Sequence, residues 1–147
     1  MKLKLLIVDD DADFRQLLEH HLREQGFETA TAASGMEALH LARRLLPDVI
    51  LLDLLLPDLD GFSVHQILRS QPSTVTIPVI VISALNGPAT SGRSLELGAG
   101  CFFTKPVNLK TLSKTIRSLS ARQQERMQRR LDEDDSVLSP RSRMPVP

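Results

Sequence analysis

The sequence has no tryptophan and no tyrosine, and only five phenylalanines in 147 residues. Stacking nucleobases needs aromatic faces, so a nucleic-acid module of that kind is not expected. A single cysteine, Cys101, excludes an internal disulfide and any multi-cysteine metal site. Neither sign of charge is in excess: 18 basic residues balance 18 acidic ones, which gives no general pull towards nucleic acid or an anionic membrane. The longest apolar runs fall far short of a membrane span. After Met1-Lys2-Leu3-Lys4 the apolar stretch is also too short for a secretory signal, and it leads into three aspartates. These absences, with the length of one ordinary domain, read as a cytoplasmic protein with one core.

What is present centres on the stretch from Pro47 to Gly61. Val49 to Leu52 is an apolar block bounded by Pro47 and Pro57, as in a parallel strand buried on both faces. Asp53 stands at its carboxyl end, and reactive groups of open α/β sheets gather at such ends.

The rest of the chain repeats strand and helix. Leu3 to Val8 reads as a strand ending in Asp9-Asp10-Asp11, and Asp11 is expected to cap a helix from Ala12. Phe14, Leu17, Leu18 and Leu22 give that helix its apolar face, and Gly26 stops it. Phe27 to Thr31 is the second strand. Ser34-Gly35-Met36-Glu37 fits a capping box for a helix that buries Ala38, Leu39, Ala42, Leu45 and Leu46. A third helix is expected from Asp60 to Arg69. Pro78 to Ser83 is a β-branched fourth strand, followed by a weak helix at about Ala89 to Leu97, where Gly92 costs about 1 kcal/mol relative to Ala. Cys101 to Thr104 is the fifth strand, and Asn108 caps a last helix carrying Leu109, Leu112, Ile116 and Leu119. The alternation predicts an α/β fold, a doubly wound five-stranded parallel sheet of order 2-1-3-4-5. Residues 1–119 form the domain, 120–135 a polar helical extension or linker, and 136–147, with three prolines and no periodicity, a disordered tail.

In that order Asp9, Asp10, Asp53, Ser83 and Lys105 converge at the strand ends. Two carboxylates about 4 Å apart repel by roughly 4 kcal/mol at an effective dielectric near 20, so three need a cation or a protonated member. An all-oxygen, carboxylate-rich site suits Mg²⁺. Lys105 and Ser83 suit the oxygens of a phosphoryl group, and an aspartate can accept that group as an acyl phosphate.

Four pieces together carry a resemblance: Leu6-Ile7-Val8-Asp9-Asp10-Asp11; Leu51-Leu52-Asp53 with Pro57 and Asp60-Gly61; Ile82-Ser83-Ala84; and Phe103-Thr104-Lys105-Pro106. In this order and spacing the chain, over residues 3–119, resembles the receiver domain of two-component response regulators. The resemblance implies a flavodoxin-like fold and an aspartate phosphorylated by a histidine kinase or phosphotransfer protein. It makes Asp53 the phosphoacceptor. Asp9, Asp10, Asp53 and the backbone carbonyl of Leu55 become Mg²⁺ ligands, Ser83 and Phe102 the switch pair, and Lys105 the phosphate-binding lysine. It also implies a cis bond between Lys105 and Pro106. The face of helix 4, strand 5 and helix 5 would change its affinity for an output domain, a downstream protein or a second copy. Such a domain is a signalling switch that catalyses only its own phosphorylation and dephosphorylation. Gly100-Cys101 stand where the family often has acids, and Phe102 lacks a tyrosine hydroxyl. Leu55 and Leu85 occupy the two positions that tune hydrolysis in the family, and both being apolar predicts slow loss of the phosphoryl group.

Two other functions compete with this one. A Mg²⁺-dependent phosphohydrolase with an aspartate nucleophile carries a second Asp two residues on, where this chain has Leu55. A receiver-like docking module would not keep the full acid, serine and lysine set. Asp48, Asp58 and Asp60 are expected as turn and cap residues. His20, His21, His40 and His65 are expected on helices in surface or half-buried positions. The Arg122 to Arg130 cluster is expected as a solvated helix face, with Leu119, Met127 and Leu131 suiting a coiled-coil connection. The chain either stands alone or is a piece of a larger regulator, and its Pro-Val-Pro end does not decide between them.

Overall fold

The three runs richest in Leu, Ile and Val form the centre of one sheet in the computed structural model, which describes residues 2–85 and 87–142. These are β1 (Lys4–Val8), β3 (Val49–Leu52) and β4 (Val79–Ser83). Lys4 is their one exposed residue. β2 (Glu28–Ala32) and β5 (Cys101–Thr104) form the edges, and all neighbours are parallel in the order β2-β1-β3-β4-β5. The expected doubly wound topology is therefore the observed one.

α2 (Gly35–Leu45) and α3 (Gly61–Ser70) cover one face, where Ala38, Leu39, Ala42, Val64 and Leu68 meet Leu6, Ile50 and Val81. α1 (Ala12–Glu24) and α5 (Leu109–Ser142) cover the other through Leu18, Leu22, Leu112 and Ile116. α4 (Pro88–Glu96) lies before β5 and meets α3 where Arg93 stacks on Phe62. No helix among the described residues is long and apolar enough to cross a membrane.

The caps follow the sequence closely. Asp11, Ser34, Asp60 and Asn108 each accept from backbone amides at a helix start. The capping box at Ser34 is shifted: Glu37 takes the amide of Ala33 rather than that of Ser34. Gly26 ends α1 at φ 94°, which a side chain would oppose.

Three expectations about burial are corrected. Leu17 is exposed, because it is one residue (about 100°) off the Phe14–Leu18–Leu22 stripe. Leu46 is also exposed, since it turns left-handed at φ 47° to end α2. His65, expected at the surface or half-buried, is fully buried, because it follows Val64 on the inward face of α3. The last helix also runs further than composition suggests, through Ser142, because lengthening an existing helix costs far less than starting one. Residues 143–147 of the expected disordered tail lie outside the described residues.

Candidate functional site

The sheet register builds the site. Val8 lies opposite Leu52, so Asp9 and Asp53 follow at the same level on neighbouring strands. Asp53 N–H donates to Val8 O at 2.9 Å, and Asp9 N–H to Ala32 O at 3.1 Å, which ties both backbones to the sheet. Ser83 ends β4 on the far side of Asp53, and Lys105 N–H donates to Ser83 O at 3.0 Å.

The side chains meet at this edge. Lys105 Nζ donates to Asp9 Oδ2 at 2.7 Å and to Asp53 Oδ2 at 3.1 Å. Asp9 and Asp53 are buried and Asp10 is exposed, yet an oxygen from each lies within 4.8 Å of the other two. The other oxygens of the buried pair accept from backbone: Asp9 Oδ1 from Asp11 N–H, Asp53 Oδ1 from Leu55 N–H. Burial pushes the Asp9 carboxyl above its ordinary pKa. Hydrogen bonds from Lys105 and Asp11 oppose that rise, and the charge of Asp53 adds to it. Burial also works against the Lys105 ammonium, but its bonds to Asp9 and Asp53 outweigh this and raise its pKa. Lys105 thus bridges two of three clustered carboxylates, and this all-oxygen donor set fits a hard divalent cation.

Ser83 is fully buried and its Oγ accepts from Leu85 N–H at 3.3 Å. The side chains of Leu55 and Leu85 are exposed. Phe102 pairs with Val81 in the sheet and packs, half-buried, against the core under α2 and α3. The peptide bond between Lys105 and Pro106 is cis.

Three supporting residues were not assigned to the site from sequence. The Phe14 ring lies under Lys105 Nζ, 4.3 Å from ammonium to ring centre, a cation–π contact. Arg15 Nη1 donates to the carbonyl of Asp9 at 2.7 Å. Asp58 caps α2 across the chain, accepting from Gly35 N–H at 2.8 Å and Met36 N–H at 2.9 Å. Those amide bonds hold its carboxyl below the usual carboxylate pKa. It anchors the loop that carries Asp53 and Leu55. Phe14 had a detectable signal in its helical spacing, but nothing local marks the partners of Arg15 or Asp58.

Residues 5–117 match the family described as the response regulator receiver domain. The chain belongs to that family. It is 42% identical over 120 residues to the response regulator PleD of Caulobacter vibrioides, which covers 82% of this chain and 26% of PleD. It is 35% identical over 139 residues to the DNA-binding response regulator MtrA of Mycolicibacterium paratuberculosis, covering 95% of this chain and 57% of MtrA. This receiver domain therefore spans between about a quarter and little more than half of the curated relatives it matches. Among solved structures, a CheY-like receiver domain protein from Methanospirillum hungatei superposes with a TM-score of 0.80 at 25% identity, over 86% of this chain and 99% of that one. The receiver domain of Francisella response regulator 1452 gives 0.78 at 35% identity, over 82% and 98%.

Proposed function

We propose that this receiver domain is a phosphorylation-controlled switch, with Asp53 accepting a phosphoryl group from a phosphohistidine on a histidine kinase or phosphotransfer protein. The observation that carries this reading is the ammonium of Lys105 held between the buried carboxylates of Asp9 and Asp53. Mg²⁺, held by Asp9, Asp10, Asp53 and the carbonyl of Leu55, would supply neutralisation of the phosphoryl oxygens.

The residues of the chain do the rest. A carboxylate oxygen of Asp53 attacks phosphorus as the P–N bond to the donor imidazole breaks, and the bonding pair leaves on nitrogen. Lys105 follows the charge from the carboxylate to the phosphoryl oxygens. The hydroxyl of Ser83 turns to the same oxygens, and Phe102 fills the space it leaves. The face of α4, β5 and α5 then changes its affinity for an output domain, a downstream protein or a second copy. Turnover of a substrate is not its task, and its place in this reading is the cytoplasm.

Intact-mass spectrometry after incubation with Mg²⁺ and a small phosphodonor tests this reading. One phosphoryl group is expected on wild type and none on Asp53→Ala. An equal adduct on Asp53→Ala, or none on wild type that demonstrably binds Mg²⁺, overturns it.

A further inference from the structure

The opposite end of the sheet carries a second concentration of charge. A cavity of about 280 Å³ lies between the end of α3, the start of β4 and α5, and includes Arg69, Thr76, Gln123, Arg122 and Arg126 in its lining. An adjoining cavity of about 230 Å³ shares Arg69, Thr76, Gln123 and Arg126 and adds Arg130. Four guanidinium groups thus line one groove, and no carboxylate or aromatic ring lines either cavity.

The arrangement carries a cost within the chain. Arg122, Arg126 and Arg130 are spaced i, i+4, i+8, so they stack on one face of α5. Like charges at i, i+4 destabilise a helix. The same helix carries Glu125, Asp132 and Asp134, yet among the described residues no carboxylate makes an ion pair with these three arginines. Arg69 faces them from α3, fixed by a 2.6 Å bond from Nη1 to Val75 O. Its guanidinium lies where Gly98 presents no side chain, and a Cβ there would sit 3.1–3.2 Å from it.

We propose that this groove binds a linear oligophosphate, two or three phosphoryl groups in series. Inorganic tripolyphosphate and the phosphate chain of a nucleoside triphosphate share that chemistry. Arg122 to Arg130 spans about 12 Å of helix, so the positive charge is spread along a line rather than focused on a point. Guanidinium forks match phosphate oxygens two at a time. The absence of an aromatic wall disfavours single-stranded nucleic acid, which gains much of its affinity by stacking. The two cavities have the scale of a small-molecule site.

Calorimetric titration of the full chain with sodium tripolyphosphate, in Mg²⁺-free buffer at physiological ionic strength, tests the proposal. Saturable binding of one tripolyphosphate per chain is expected, weakened about tenfold or more by Arg126→Gln. Arg126 is exposed and Gln is as good a helix former, so circular dichroism should show the variant folded. Asp53→Asn should bind as wild type does, which separates this site from the carboxylate edge. Parallel arms with ATP and AMP distinguish the sources: ATP tighter than tripolyphosphate assigns a nucleotide, equal affinity the phosphate chain alone. The proposal fails if heats do not saturate, if Arg126→Gln binds as wild type, or if AMP equals tripolyphosphate. It fails equally if oligoglutamate or a single-stranded oligonucleotide of matched charge binds more tightly.

Discussion

The shortest bond Lys105 makes through its ammonium is to Asp9, at 2.7 Å, and not to Asp53. The lysine therefore holds the pair of buried acids together. Lys105→Met should destabilise the fold by about 1–3 kcal/mol at neutral pH, because it leaves Asp9 buried without its counter-charge. Added Mg²⁺ should recover part of that loss. Urea unfolding of both proteins, with and without Mg²⁺, measures it. Equal stability of variant and wild type would show that the bridge contributes nothing.

Gly61 opens α3 against the strand end that carries Asp53. A Cβ at this position would lie 2.5 Å from the carbonyl oxygen of Asp53 and 2.5 Å from Leu54 Cα, both rigid backbone atoms. Gly61→Ala should cost about 1–3 kcal/mol and shift Asp53 relative to Asp9. The expected result is a lower unfolding midpoint together with slower labelling of Asp53 by a small phosphodonor. A variant with wild-type stability and labelling would refute the close-packing argument.

His65 is buried with Nε2 lacking a hydrogen-bond partner, and burial, helped by Arg69, lowers its pKa from 6.5 to about 4. The folded state thus prefers neutral histidine. Its contribution is fully present above pH 6.5, declines as pH falls, and is lost at about pH 4. The shift corresponds to a loss on the order of 3 kcal/mol across that window. His65→Phe should remove this part of the pH dependence and leave stability at pH 7 equal or higher, since an orphaned polar atom goes with it. Comparing the two proteins by urea titration at pH 7 and pH 4.5 isolates the effect from acid-sensitive carboxylates common to both. Parallel pH curves would show that His65 stays neutral in both states or charges freely in the fold.

Leu55 and Leu85 carry exposed apolar side chains in the loops that follow Asp53 and Ser83. Neither can hold a water for attack on an acyl phosphate. The phosphorylated domain should therefore lose its phosphoryl group slowly, and Leu55→Asn should accelerate the loss about tenfold or more by orienting that water. Phosphate release from labelled protein in Mg²⁺ gives both rates. A wild-type half-life of seconds would rule out the apolar shield.

How much was legible in the chain depended on the range of each interaction. Asp11, Ser34, Asp60 and Asn108 cap helices through amides two or three residues away, so local order was enough to identify them. Asp58 was also expected as a cap, but its partners lie 22 and 23 residues upstream, and the sequence does not name them. Periodicity puts Leu17 and Leu46 on apolar faces because it averages over a helix. It resolves neither the edge of the buried stripe nor the residue that turns left-handed to end it.

The sequence by itself determined the order of strands and helices, the strand-end placement of Asp9, Asp53, Ser83 and Lys105, and the family to which they point. Apolar periodicity, turn residues and caps are local, and parallel crossovers leave few ways to arrange five such units. Only the tertiary structure decided that Lys105 bridges Asp9 and Asp53, that Phe14 and Arg15 support them, and that His65 is buried. Only it set Arg69 opposite the arginines of α5, where the sequence pattern alone reads as a solvated face. These outcomes rest on contacts between elements distant in the chain, where distance and burial, rather than residue order, set the energy.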